Sequence, residues 1–275
     1  MIRFHKMHGL GNDFVVIDGR GSMAAHAAVV DQSLARALAD RHRGVGCDQV
    51  IVLSDPPAGD EADVAMRIFN ADGSEVAACG NATRCVPVLL GADVRIRTTA
   101  GLLDGRRADG GADVGMGRPR FGWDEVPIAE PLDTLALPLA WEELAAPVAV
   151  SMGNPHLVFF VDDVAAVPLD RLGPVIEHDP MFPERINVNI AQFVAPDHLV
   201  MRTWERGAGL TRACGTGACA VFAAARRTRR LKVASARIDP PGGQLRIAED
   251  ADGGIRMAGP AVHVFLGEID AAVLA

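Results

Sequence analysis

Lysine is almost missing from this 275-residue chain: only Lys6 and Lys232 occur, and neither lies in a segment resembling a pyridoxal-phosphate site. No other residue type forms that cofactor's Schiff-base linkage, so chemistry of that kind is set aside and no cofactor is expected. Basic runs are equally scarce. None is longer than Arg226-Arg227 and Arg229-Arg230, and the net charge is −8, so the electrostatic footprint of a nucleic-acid binder is missing. No segment approaches the ~20 apolar residues of a membrane span, and Met1 to His8 hold no apolar stretch of a signal peptide. A soluble, cytoplasmic protein is expected, without membrane or nucleic acid as partner. Cys-x-x-Cys spacing is also missing, which argues against a dithiol redox motif. The Cys79/Cys85 and Cys214/Cys219 spacings are not those of a close zinc pair, so no metal is expected.

The chain does contain five cysteines, Cys47, Cys79, Cys85, Cys214 and Cys219. An odd number in a chain of this size suits reduced thiols better than a secreted disulfide framework. Cysteine is among the most buried residue types, and Cys47, Cys85 and Cys219, inside or beside apolar runs, are expected to be packing residues. Two of the five recur in one context. Ala78-Cys79-Gly80-Asn81 reappears as Ala213-Cys214-Gly215-Thr216, each followed by an apolar run. A thiol at a turn leading into a helix sees unpaired N–H groups and the positive end of the helix dipole, which stabilise thiolate and lower its pKa.

The repeat extends beyond the cysteines. Met66-Arg67-Ile68-Phe69-Asn70 and Met201-Arg202-Thr203-Trp204-Glu205 stand in the same register ahead of Cys79 and Cys214. Gly11-Asn12 is echoed by Gly153-Asn154, and Val114–Pro119 by Ile255–Pro260. Four elements in one order indicate an internal duplication with two homologous domains. The expected boundaries are 1–118 and 119–261, with a final strand in 262–275 returning to the first domain.

Short β-branched or aromatic runs predict strands at Phe14–Ile17, Gln49–Leu53, Val64–Phe69 and Val94–Thr98 in the first half. In the second half they predict Val158–Val161, Asn187–Phe193, Leu199–Trp204 and Ala236–Ile238. Asp31–Arg43 reads as an amphipathic helix with a cap acceptor at Asp31 or Ser33. The runs after Cys79 and Cys214 are apolar nearly all round, and a helix without a polar face must be surrounded. The expected fold is therefore α+β: two domains related by a pseudo-twofold axis, each a curved, mostly antiparallel, barrel-like sheet around a central apolar helix. Arg118–Pro147, rich in proline, reads as connection and outer edge.

Two such domains facing each other would bring Cys79 and Cys214 to opposite sides of one cleft. Inverting a carbon stereocentre needs a base on one face and an acid on the other, and a thiolate–thiol pair serves both directions. Asn70 and Glu205 occupy equivalent places nine residues before each cysteine; His156 and Glu205 could tune thiol pKa. N–H groups at Gly80-Asn81 and Gly215-Thr216 can cradle a carboxylate, Arg206 can clamp one, and Asn12, Asn81, Asn154 and Asn187 can bind amine and carboxylate groups. So many amides suggest a second polar end on the substrate.

Six motifs, in order along the chain, carry a family resemblance: Lys6–Phe14, Phe69–Glu75, Ala78–Asn81, Ser151–His156, Glu205–Gly209 and Ala213–Gly217. Together they resemble the motif set of the diaminopimelate epimerases. The resemblance implies a cofactor-independent, two-cysteine epimerase that interconverts LL- and meso-2,6-diaminopimelate in lysine and peptidoglycan-precursor synthesis, usually as a homodimer. It implies Cys79 and Cys214 as acid and base, His156 and Glu205 as residues that adjust thiol pKa, and Gly80-Asn81 and Gly215-Thr216 around the reacting end. Asn12, Gln49, Asn70, Asn154, Asn187, Glu205 and Arg206 match substrate contacts, and Phe265 stands at a position associated with the dimer contact. Other readings are a proline-racemase-like isomerase of the same fold, or a non-catalytic amino-acid-binding or thiol redox protein.

Overall fold

The structure is a computed structural model that describes residues 1–77, 79–270 and 272. Ala78, which opens the earlier cysteine motif, and residues 271 and 273–275 of the expected returning segment lie outside the described residues. The chain forms two compact units, one of Met1–Val114 with the segment from Gly259 onward, the other of Gly115–Ala258.

The first unit begins with strands β1 (Ile2–Gly9) and β2 (Asn12–Asp18), joined by Leu10-Gly11. Both turn residues have positive φ, 58° and 84°, the conformation that lets a two-residue hairpin follow the right-handed strand twist. This tight turn fixes Asn12 at the first position of β2. Helices α1 (Ala24–Ala28) and α2 (Gln32–Ala39) lead to β3 (Gln49–Ser54), β4 (Val64–Asn70) and β5 (Glu75–Val76). After them come α3 (Gly80–Leu90), β6 (Val94–Thr98), β7 (Gly101–Ala108) and β8 (Gly111–Gly115). Asp31 caps α2 by accepting from Leu34 N at 2.8 Å. The helix ends before the expected Arg43 because the Asp40 carboxylate takes the His42 and Arg43 N–H groups into a turn of its own, offering the backbone an alternative to the helix.

Strand alternation puts Phe14, Val16, Ile51 and Ile68 into the core around α3, and Val15, Ile17, Val50 and Val52 into a second core under α1 and α2. The strands are covered on both faces, which is why they read as continuous apolar runs. Helix α3 touches β1 at one end of the strand order and β6 and β7 at the other, so the sheet curls around it. Pro87 lies inside α3, yet the helix continues to Leu90 and stops on Gly91 in the left-handed region, φ 70°.

The second unit contains a small hairpin of β9 (Ala140–Trp141) and β10 (Leu144–Ala145), followed by β11 (Val148–Ser151), β12 (Pro155–Phe160) and α4 (Leu169–Glu177). Next come β13 (Asn187–Ala195), β14 (His198–Glu205), β15 (Gly209–Thr211) and α5 (Gly215–Arg227), and then β16 (Ser235–Asp239), β17 (Leu245–Glu249) and β18 (Ile255–Pro260). Helix α5 is buried at every position from Gly217 to Ala225 and packs on β11, β12 and β13 as well as β16 and β17. Residues 119–147 are more than an outer connection. Val126, Ile128, Leu137 and Leu144 are buried in one cluster with Leu157, Leu172 and Val188, so the proline-rich stretch supplies part of this unit's core.

The same pairing order occurs in both units. In the first, β1 is antiparallel to β2, β2 parallel to β3, β3 antiparallel to β4, and β4 parallel to β6. The second repeats this with β11, β12, β13, β14 and β16. The last strand, β19 (Val262–Ile269), pairs antiparallel with β1 in the first unit. The fold is α+β. Among the described residues, no helix is long and apolar enough to cross a membrane.

Candidate active site

Each of the two repeated cysteines is the N-cap of its unit's central helix. Cys79 precedes α3 and Cys214 precedes α5, both in extended backbone with φ of −146° and −114°. The first residues of the two helices are the glycines Gly80 and Gly215.

In the first unit, Asn81 lies behind Cys79 and is buried. The wholly buried Arg84 donates from Nη2 to Asn81 Oδ1 at 2.9 Å. A guanidinium can only donate, so the amide orientation follows: Asn81 Nδ2 donates to Asn12 Oδ1 at 3.2 Å, and Asn12 Nδ2 to Asp48 Oδ2 at 2.8 Å. Asp48 in turn receives Arg41, which also reaches Asp13. Burial pushes the Asp13 carboxyl up, but hydrogen bonds and charge from Arg41 and Lys6 outweigh it and hold the group at about 2. Gln49 and Asn70 face each other across β3 and β4, with Gln49 Nε2 donating to Asn70 Oδ1 at 3.0 Å, and Asn70 Nδ2 reaching Ser74 Oγ at 3.1 Å. Gln49 Oε1 is buried without a hydrogen-bond partner among the described residues, a cost that a bound donor would remove.

In the second unit, Cys214 Sγ accepts from Gly217 N at 3.4 Å and lies 3.5 Å from Thr216 Oγ1. Cys214 is buried, only 4% exposed. Burial, and next the charge of Glu205, push its pKa well above the ordinary thiol value, while Thr216 and the Gly217 N–H pull the other way. The expected lowering by the helix end is therefore overturned for Cys214. Desolvation of a thiolate acts on the whole charge, whereas a helix terminus contributes a partial charge. Glu205, the last residue of β14, is itself held by Thr211 Oγ1 at 2.5 Å.

His156 does not reach the cysteine directly. It is fully buried, and burial first and the Arg206 charge second lower its pKa to about 3, so the ring is neutral. His156 Nε2 and Asn154 Oδ1 are 3.0 Å apart, and Asn154 Nδ2 donates to Thr216 Oγ1 at 3.3 Å. Asn187 is turned inward: it donates to Pro155 O at 2.7 Å and accepts the Arg206 N–H at 3.0 Å. Its amide shapes the turn that presents Arg206, whose exposed guanidinium gives one N–H to Glu184 O. Glu177, at the end of α4, accepts from Trp204 Nε1 and Gly207 N and so fixes the same turn from below.

Of the expected residues, the structure thus gathers Asn12 with Asn81, and Gln49 with Asn70, beside Cys79's helix. It gathers Asn154, His156, Glu205 and Thr216 beside Cys214. The supporting residues Asp48, Arg84, Glu177, Asn189, Thr203 and Thr211 were not singled out from the sequence. A polar residue inside an apolar strand, as at Asn189 and Thr203, was the available signal. Phe265 stands on β19 with Val262, Val264 and Leu266, all exposed.

The model of the family described as diaminopimelate epimerase matches residues 4–122 and 148–264. A diaminopimelate epimerase of Zymomonas mobilis is 61% identical over 267 residues, 97% of each chain. One from Rhizorhabdus wittichii is 58% identical over 98% of this chain and 96% of its own. Among solved structures, one described as a probable proline racemase from Agrobacterium radiobacter superposes with a TM-score of 0.68 at 17% identity, over 98% of this chain and 93% of that one; that likeness bears on the fold alone.

Proposed function

Because the chain belongs to the diaminopimelate epimerase family, we propose that it interconverts LL- and meso-2,6-diaminopimelate in the cytoplasm, in lysine and peptidoglycan-precursor synthesis, with Cys79 and Cys214 serving one α-carbon. The observation that carries this reading is that the two cysteines cap equivalent helices in two units of the same strand order. One cysteine, as thiolate, takes the α-proton; the C–H electron pair passes into the carboxylate-stabilised carbanion. The other cysteine, as thiol, delivers its proton to the opposite face and becomes the thiolate. The reverse direction exchanges their roles, so atoms and charge balance with no further reactant. The N–H groups after each cap stabilise the charge that spreads into the substrate carboxylate.

Glu205 suits the donor role of Cys214, since its charge favours the protonated thiol. The Asn and Gln amides of both units, with Arg206, suit the two amino-acid ends of diaminopimelate. Incubation with LL-diaminopimelate in D₂O is the test. Deuterium is expected at one α-carbon, and Cys79→Ala and Cys214→Ala are each expected to lower turnover by about a thousandfold or more, the scale of general acid–base catalysis. No exchange with any diaminopimelate isomer, or exchange with proline instead, would sink the assignment.

We also propose a homodimer through β19, whose Val262, Val264, Phe265 and Leu266 are all exposed. So many exposed apolar side chains on one strand are a liability unless covered. Sedimentation should show a dimer that Phe265→Asp converts to monomer; a wild-type monomer at micromolar concentration rules it out.

A further inference from the structure

We infer that Asn189 and Thr203 are positioning residues: they set the direction of a hydrogen-bond chain through His156 and Asn154 so that it ends with the Thr216 hydroxyl proton turned toward Cys214. This rests on the assignment of Cys214 as an acid/base group. The chain starts at a backbone carbonyl. Asn189 lies opposite Thr203 in the β13–β14 pairing and is wholly buried. Its Nδ2 donates to Leu157 O at 2.9 Å. A carbonyl can only accept, so this contact fixes which end of the amide is nitrogen. Thr203 Oγ1 donates to the other end, Asn189 Oδ1, at 3.0 Å.

From there each orientation follows from the one before. The second Asn189 N–H points at His156 Nδ1, 3.2 Å away, so that nitrogen carries the lone pair. The ring is neutral, and its one proton is therefore on Nε2, which donates to Asn154 Oδ1 at 3.0 Å. Asn154 must then present its NH₂ to Thr216 Oγ1. The hydroxyl accepts there, and its own proton is left for Cys214 Sγ at 3.5 Å. With the opposite tautomer of His156 the links from the ring to Thr216 would reverse. Thr216 would spend its proton on Asn154, and the sulfur would lose a donor that favours the thiolate.

The helix makes room for this arrangement. A Cβ on Gly217 would fall 2.5 Å from Asn189 Oδ1 and 3.2 Å from Thr203 Oγ1; only glycine lets the first turn of α5 lie against the pair. That is a packing reason for a glycine in a helix that otherwise disfavours one.

The test reads the tautomer directly. In the ¹⁵N-histidine-labelled enzyme, with the His156 signals identified by their loss in His156→Gln, Nδ1 is expected bare and Nε2 protonated at neutral pH. In Asn189→Asp one carboxyl oxygen replaces a nitrogen with two N–H groups and cannot serve both Leu157 O and His156. Satisfying the carbonyl leaves a lone pair facing the ring, so the proton moves to Nδ1, and kcat is expected to fall by about tenfold to a hundredfold. Thr203→Ser should stay within about twofold of the original kcat and Thr203→Val should not, which keeps a readout should Asn189→Asp fold poorly. An Nδ1–H tautomer in the unaltered enzyme overturns the inference, as does an Asn189→Asp enzyme that keeps its proton on Nε2, or that shifts it with no loss of kcat. The nuclear magnetic resonance arm needs no substrate, so failure of the diaminopimelate assignment would show separately, as absence of isotope exchange.

Discussion

The two capping cysteines share a helix position but not a foundation. Beside Cys79, the polar chain begins on a buried cation and ends among charges: Arg84, Asn81, Asn12, Asp48, Arg41. Beside Cys214 the chain is neutral from Leu157 O to Thr216, and it ends on the cysteine sulfur itself. Five residues after each cap the difference is concentrated in one position, Arg84 in α3 and Cys219 in α5, both buried. A duplicated fold has kept the cap position and its extended backbone while two different kinds of network surround the caps. Charge can orient an amide from a distance but must itself be desolvated and paired; a backbone carbonyl orients one at no such cost.

The largest effect should separate the two helices. Arg84→Met leaves Asn81 Oδ1 and Pro260 O without their donor and is expected to cost about 3 kcal/mol in urea unfolding. Cys219→Ala, at the matching position, removes a small uncharged buried group and should cost about 1 kcal/mol. Equal losses would remove the distinction between the networks.

A smaller effect comes from acid. His156 is near 3 when folded and about 6.5 when unfolded. The unfolded chain therefore takes up the proton first, and stability is lost as pH falls from about 6.5 toward 3. The loss should reach roughly 2 kcal/mol at about pH 5. Asp13 has the opposite chemistry and a lower window: held at about 2, it contributes above about pH 4 and loses that contribution only as pH falls toward 2. His156→Gln should flatten the upper part of the pH–stability curve and leave the lower part in place. An unchanged slope between about pH 6.5 and 5 in that variant would show that His156 is not the group responsible.

Strands β2, β3, β4, β6, β12, β13, β14, β16 and β19 and the two central helices could be read from the sequence because their signals are local: β-branched runs bounded by turns, and apolar runs after Cys-Gly; β1, β7, β8, β11, β17 and β18 lack so plain a signal. The start of α2 could be read from its cap residue Asp31, but its C-terminal end could not, since Asp40 reads as helix surface until its carboxylate is seen capturing two N–H groups. Val126, Ile128, Leu137 and Leu144 were hidden by the prolines around them, although they fill the core beside α4. At the site, the cysteines, His156 and Glu205 stood out through repetition, whereas Asn189 and Thr203 act only through their cross-strand pairing, which no single stretch of sequence displays. The direction of the Cys214 shift is not legible in the sequence, because burial, a tertiary property, outweighs the helix end.

That burial bears on chemical wear. Oxidants and electrophiles consume thiolates far faster than thiols, and Cys214, buried at the start of α5 and biased toward its protonated form first by that burial and then by the charge of Glu205, offers them less thiolate than a solvent-exposed thiol would. Cys47 and Cys85, whose thiols burial pushes up to about 12, share that protection, whereas Cys79 is only half-buried.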